Sequence, residues 1–207
     1  MIKLYGYDTI NTLKVLMFLF ETGIDYEFEP INIRAGEQHT VEFRTVNPAG
    51  KVLVIWDGDS FQTESNSILL SLANKTGWGL VGDHSLDAQL IAWLFYQAST
   101  QGPYFGQIEY WSRFAKELNS DALAQYRAIA NRTIIHLNDH LSGKQYICGG
   151  TYSIADIALF PWLRVHDHLG LSIENAENLS HWLERIMAKS ATQKALSFFN
   201  GISSSRC

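Results

Sequence analysis

Hydrophobic positions along the first eighty residues switch repeatedly between two periods. Ile2 to Tyr5 predicts a short strand. Asn11 to Thr22 then carries Leu13, Leu16, Met17 and Phe20 at spacings of three and four, the stripe of an amphipathic helix. Gly23, free to adopt positive φ, ends it. Tyr26 to Ile33 predicts a second strand, Arg34 to Gln38 a polar loop and Val41 to Val46 a short helix. Val52 to Trp56 and Ser60 to Thr63 flank Asp57-Gly58-Asp59, and an Asp-Gly turn between two strand-prone runs predicts a hairpin. Ser65 to Thr76 closes the segment as a helix with Ile68, Leu69 and Leu72 on one side.

Strand, helix, strand, helix, strand, strand, helix is the order of an α/β thioredoxin-like N-terminal domain, placed here at 1–78. The Gly-dense stretch around Gly77, Gly79 and Gly82 marks a linker, 79–86, and the pattern over 87–207 is that of an all-α C-terminal domain. Leu86 to about Leu118 is one long helical stretch, expected to bend or restart at Gly102-Pro103. Asp121 to Leu141 is a second. Ser153-Ile154-Ala155-Asp156 has the form of a capping box ahead of the apolar run Ile157 to Leu163. The last helices are expected near Asn178 to Ala188 and Ala191 to Phe199, with Ser203 to Ser205 a frayed end.

Charge and cysteine content narrow the chemistry. The net charge of −5 argues against a nucleic-acid partner bound through its phosphates. No apolar run approaches the roughly 18 residues of a membrane span, and the opening residues lack a signal peptide's apolar region, so no membrane association and a cytoplasmic location are expected. Cys148 and Cys207 stand alone, without disulfide or metal-ligand spacing. The histidine pairs His136/His140 and His166/His168 have no completing carboxylate or thiol pattern and are assigned to packing or surface, so no metal is expected.

Four places in the first domain can carry chemistry. Thr9 and Asn11 sit where the first helix begins; each either caps the helix or, with its N–H groups, faces an anion such as a thiolate. Asn47-Pro48-Ala49-Gly50-Lys51-Val52 is either an ordinary loop or a strand start offering backbone groups to an extended peptide. In Gln62-Thr63-Glu64-Ser65, Ser65 is either a cap or a carboxylate holder, and Glu64 can pair with an ammonium. Gln38 is either a ligand contact or a solvated loop residue. In the helical domain, Tyr104, Phe105, Tyr110 and Trp111 either line an apolar cleft or pack the core, whereas Trp162 and Cys148 are assigned to the core.

Together the Asn47–Val52 loop, Glu64-Ser65 followed by Ile68-Leu69-Leu70, and the Ser153–Asp156 box resemble the glutathione transferase family, over essentially the whole chain. Thr9-x-Asn11, Gln38 and Gln101-Gly102-Pro103-Tyr104-Phe105-Gly106-Gln107 are most similar to its bacterial nu class, disulfide-bond reductases that use no catalytic cysteine of their own. The resemblance implies glutathione as co-substrate, a hydrophobic electrophile or disulfide as the second substrate, a hydrophobic co-substrate site between the lobes to which Tyr104, Phe105, Tyr110 and Trp111 are assigned, and a homodimer. It implies that Thr9 and Asn11 orient the glutathione sulfur, with Tyr5 and Tyr7 as fallback donors. Gln38, Lys51, Val52 (through its backbone), Glu64, Ser65 and Arg132 would hold the tripeptide. One departure stands out: the family proline that follows a cis bond is Leu53 here. A cis bond before a non-proline costs about 2.5–4 kcal/mol, so a trans Val52–Leu53 bond and weakened glutathione binding are expected. The same departure motivates the alternative of a non-catalytic binding or scaffold protein.

Overall fold

The alternating runs near the N-terminus form a mixed four-stranded sheet of order β2-β1-β3-β4: β1 Ile2–Gly6, β2 Tyr26–Pro30, β3 Val54–Trp56 and β4 Phe61–Thr63. The structure, a computed structural model, describes residues 1–82 and 87–204, without the side chains of Ser203 and Ser204. Leu86 and the linker residues beside it, Ser205 and Cys207 lie outside the described residues. The chain divides into two compact units, Met1–Trp78 together with the chain from Ala188 onward, and Gly79–Met187.

In the first unit β1 runs parallel to β2, with Leu4 opposite Phe28, and antiparallel to β3, with Leu4 opposite Ile55. The Asp57-Gly58-Asp59 turn joins β3 to β4 as the hairpin signal predicted, and Asp57 Oδ1 accepts from the N–H groups of Asp59 and Ser60. The α1 helix, Ile10–Thr22, ends at Gly23 with φ 68°, and α3 covers Ser65–Thr76 as expected. A 3₁₀ turn at Glu37–His39 and α2, Val41–Val46, fill the segment after β2.

Two details differ from expectation. β2 stops at Pro30, short of Ile33; Pro30 has no N–H to donate to a ladder. The Val52–Leu53 peptide bond is cis, correcting the expected trans bond. That expectation weighed the local preference alone and left out the burial of Leu53 in the core at 4% exposure.

The final helix, α9 (Ser190–Ser204), packs along α1 and so clusters with the first unit. Phe198 sits among Phe20, Tyr26 and Phe28, with ring centroids 5.3–6.3 Å apart. With α3 and α9 both against it, α1 is buried continuously from Thr12 to Leu19, beyond the single stripe that its periodicity shows. α9 also continues through the serines expected to fray, as far as Ser204.

The second unit is helical: α4 Ala88–Tyr96, α5 Gly102–Glu109, α6 Ser120–His140, α7 Ile154–Leu163 and α8 Glu177–Met187. Pro103 does not break the path from α4 to α5. A π-helical segment at Gln97–Gln101 widens the turn, Gly102 N–H donates to Gln97 O five residues back, and Pro103 occupies the first turn of α5, where its missing N–H costs nothing. The capping box forms at the start of α7. Asp156, buried, accepts from the N–H and hydroxyl of Ser153, the N–H of Ile147 and the indole of Trp182, at 2.8–3.0 Å. Among the described residues no helix is long and apolar enough to cross a membrane.

Candidate functional site

At the start of α1, Thr9 is the N-cap in extended conformation, its Oγ1 accepting from Thr12 N–H at 3.3 Å and hydrogen-bonded to Thr12 Oγ1 at 2.9 Å. Capping takes up one acceptor position of the Thr9 hydroxyl, which has two and one proton. Two residues on, in the first turn, exposed Asn11 accepts from the hydroxyl of Ser65 at 3.3 Å. One turn further, Lys14 is 1% exposed, and its ammonium donates to Ser65 Oγ at 3.1 Å and to Asn66 Oδ1 at 3.3 Å. Burial pulls the Lys14 pKa down to about 7, against the opposing pull of the Glu64 carboxylate.

The head of α3 is equally specific. Glu64 has φ 65° and ψ 111°, a region that residues with a Cβ rarely occupy and that costs about 1–3 kcal/mol. Its side chain makes no cap bond, and the first backbone bond into the helix is Ile68 N–H to Glu64 O at 2.9 Å. By helix geometry the N–H groups of Ser65, Asn66 and Ser67 have no acceptor within the helix, and the helix dipole favours a negative charge beside them.

The loop before β3 is held by Asn47, which is buried. Its Nδ2–H donates to Lys51 O at 2.7 Å, its Oδ1 accepts from Ala49 N–H at 3.1 Å and its carbonyl accepts from Gly50 N–H at 2.9 Å. Gly50 has φ 62°, and a Cβ there would lie 3.1 Å from both Gln38 O and His39 Nδ1, so its lack of a side chain lets the Gln38 turn close against the loop. Gln38 donates from Nε2 to His39 Nε2 at 3.2 Å, whereas its Oε1 is shielded from solvent without a protein donor among the described residues. That orphaned acceptor suits an N–H of a bound peptide. Lys51 is exposed and Val52 half-buried ahead of the cis bond.

Two family models match the chain. Residues 1–74 match the glutathione S-transferase N-terminal domain and 110–190 its C-terminal domain. The disulfide-bond oxidoreductase YfcG of Escherichia coli (strain K12) is 32% identical over 203 residues, covering 95% of this chain and 94% of that protein. The chain belongs to the glutathione transferase family. Among solved structures, a glutathione transferase family member from Pseudomonas fluorescens pf-5 with two glutathione bound is 33% identical, with TM-score 0.85 over 94% of this chain and 92% of that one. The glutathione transferase URE2P6 of Phanerochaete chrysosporium, in complex with oxidized glutathione, is 26% identical, with TM-score 0.91 over 97% of both chains.

For a glutathione transferase, the remaining expected site residues divide by environment. Arg132 is exposed on α6 in the second unit. Phe105 is 0% exposed and packs edge-on against Trp162 at 6.3 Å; it is a core residue, which corrects its assignment to a co-substrate pocket. Its position on α5 turns it inward with Ile108, three residues on. Tyr104 is half-buried beside Tyr126 at 6.2 Å. Tyr110 and Trp111, edge to face at 5.2 Å, border an open groove of about 700 Å³ that continues along 114–120. Tyr7 is buried at 3% exposure, and Tyr5 packs on Phe61 at 6.1 Å. Cys148 is buried, and desolvation pushes its thiol up to about 11, away from the thiolate needed for nucleophilic chemistry. His136 stacks on Trp93 at 5.6 Å, and His140 lies 4.4 Å from the same ring, consistent with packing roles.

Lys14 is the residue that sequence reasoning missed. Its signal was present: a lysine between Leu13 and Val15 in a helix otherwise apolar through this stretch. On a surface helix that reads as one solvated position; only the packing of α3 and α9 on α1 makes it a buried charge.

Proposed function

We propose that this glutathione transferase family member is a glutathione-dependent disulfide-bond reductase that activates the sulfur of bound glutathione with neutral donors. The observation that carries the reading is the Ser65 hydroxyl on Asn11 Oδ1, which joins the opening turn of α1 to the uncapped head of α3. A γ-glutamyl carboxylate fits the α3 N–H groups and Ser65, its ammonium fits Glu64, and Gln38, Lys51 and the Val52 backbone hold the rest of the tripeptide. Thr9 and Asn11 then face the sulfur. Positions 1–78 contain no cysteine, so the nucleophilic thiolate belongs to the ligand.

Lowering the glutathione thiol pKa by one unit needs about 1.4 kcal/mol of preferential anion stabilisation, which one amide or hydroxyl donor plus a helix terminus supplies. The thiolate attacks one sulfur of a disulfide RSSR, forming GSSR and expelling RS⁻, which takes up a proton. A second glutathione thiolate attacks GSSR at the glutathione sulfur, releasing GSSG and the second RSH. Two glutathione molecules thus supply both electrons and both protons. A homodimer and a cytoplasmic location belong to the same reading.

The test is turnover of 2-hydroxyethyl disulfide with glutathione, followed as glutathione disulfide formed, beside conjugation of chlorodinitrobenzene. Disulfide reduction that falls at least tenfold in kcat for Asn11→Ala supports the reading. Glutathione binding without turnover of either substrate overturns it in favour of a binding protein.

A further inference from the structure

Lys14 places an ionisable amine where the ligand-binding groups of the proposed site take their hydrogen bonds. It contacts no solvent to speak of, yet it touches Ser65 and Asn66, the first two residues of α3. An ammonium can only donate, so Ser65 Oγ accepts from Lys14 and must spend its own proton elsewhere. That proton goes to Asn11 Oδ1. With Oδ1 so engaged, the Asn11 amide turns its Nδ2–H₂ away from Ser65, and Asn11 becomes a donor on the exposed side of the turn.

We propose that Lys14 is a positioning residue for this site: its ammonium fixes the direction of the Lys14–Ser65–Asn11 chain, presents Asn11 as a donor to the glutathione sulfur, and balances the γ-glutamyl carboxylate at the head of α3. The inference rests on the glutathione reading above and deepens it. A neutral amine can accept as well as donate, so loss of the Lys14 proton removes both the chain's direction and the counter-charge.

The surroundings make that proton responsive to the ligand. Glu64, at the head of α3, is a charged group that acts on Lys14, and Asn11, Ser65 and Asn66 are neutral. At the far end of α3, Lys75 is paired with Asp57. Just before α9, Lys189 pairs with Glu21 at 3.7 Å, about two turns along α1 from Lys14. Burial already weakens Lys14's hold on its proton near neutral pH. A carboxylate arriving beside Ser65 favours the charged form and draws the proton back.

The experiment is calorimetric titration with S-methylglutathione, which has no titrating thiol, in buffers of different ionisation enthalpy at pH 7.5. The wild type is expected to take up between roughly half and one proton per ligand bound, and its affinity to fall about tenfold between pH 6 and pH 8 as the free lysine deprotonates. Lys14→Arg, charged at every pH used, is expected to bind with no proton uptake and a flat profile, and Lys14→Met to bind at least tenfold more weakly at pH 6. The proton count on the wild type needs no variant to fold. Binding without uptake by the wild type, or undiminished uptake in Lys14→Arg, overturns the role of Lys14 and leaves the glutathione reading standing. No binding by the wild type at any pH overturns both.

Discussion

Ser65 gives its hydroxyl proton to the Asn11 amide oxygen at 3.3 Å, joining the first turn of α3 to the first turn of α1. That proton is then spent, so in the proposed site the backbone N–H of Ser65 meets the γ-glutamyl carboxylate, while Asn11 faces the sulfur. Ser65→Ala and Asn11→Ala are therefore expected to act on the same step. Ser65→Ala keeps that N–H but breaks the Lys14–Ser65–Asn11 chain, so kcat should fall about tenfold with a smaller change in KM for glutathione. Asn11→Ala should act mainly on kcat. Steady-state kinetics with 2-hydroxyethyl disulfide at varied glutathione checks both.

Thr9 is the cap of α1 as well as a candidate donor to sulfur. Thr9→Ala should lower stability by about 1 kcal/mol, and Thr9→Ser should restore most of it because the hydroxyl is what accepts from Thr12 N–H. Urea unfolding measures the stability. Thr9→Asn, which can cap α1 without a hydroxyl, separates the roles: lowered turnover at retained stability assigns the hydroxyl to the sulfur.

Gly50 combines positive φ with a Cβ position 3.1 Å from the Gln38 carbonyl. Gly50→Ala should cost about 1–2 kcal/mol and push the Gln38 turn off the loop before β3. Weaker glutathione binding measured by calorimetry, alongside a lower urea midpoint, is the expected pair of results.

Asp156 satisfies three buried N–H donors, those of Ile147, Ser153 and the Trp182 indole, as well as the Ser153 hydroxyl. Asp156→Ala leaves them without an acceptor and should cost on the order of 3 kcal/mol, enough to threaten folding. Asp156→Asn keeps an oxygen for Ile147 and Trp182 and should cost about half as much. Denaturant midpoints of the two variants test the ordering.

His140 donates from Nε2 to the Ile147 carbonyl at 2.8 Å, and Lys144 donates to its Nδ1 at 3.2 Å. Burial, first, and the Lys144 and His136 charges hold its pKa below the ordinary imidazole value. A folded pKa below the unfolded one means that the unfolded chain binds more protons in that window. The contribution to stability is therefore full above about pH 6.5 and is lost as pH falls. NMR titration should place His140 below about 6.5, and Lys144→Gln should move it upward.

Much of this was legible in the chain itself. The α3 limits, the Asp57-Gly58 hairpin, the Gly23 stop and the Ser153–Asp156 box each depend on a few adjacent residues whose backbone preferences act over one or two turns. Thr9, Asn11 and Ser65 stood out as candidates for the same reason, as polar groups at helix starts where N–H groups lack partners, and Gln38 as a polar loop residue. Phe105 was misassigned because an aromatic after a Gly-Pro pair reads alike whether it faces a cleft or a core.

The sequence by itself determined the ends of α1 and α3, the β3–β4 hairpin and the Ser153–Asp156 box, because capping, turn chemistry and hydrophobic period are local energies. Tertiary structure alone decided what those elements enclose. It brought α9 onto α1 through Phe198, set the Val52–Leu53 bond cis, and enclosed Lys14 between α1 and the head of α3. Burial and the reach of a hydrogen bond depend on distances in space between residues some fifty or more positions apart, and no local pattern encodes those distances.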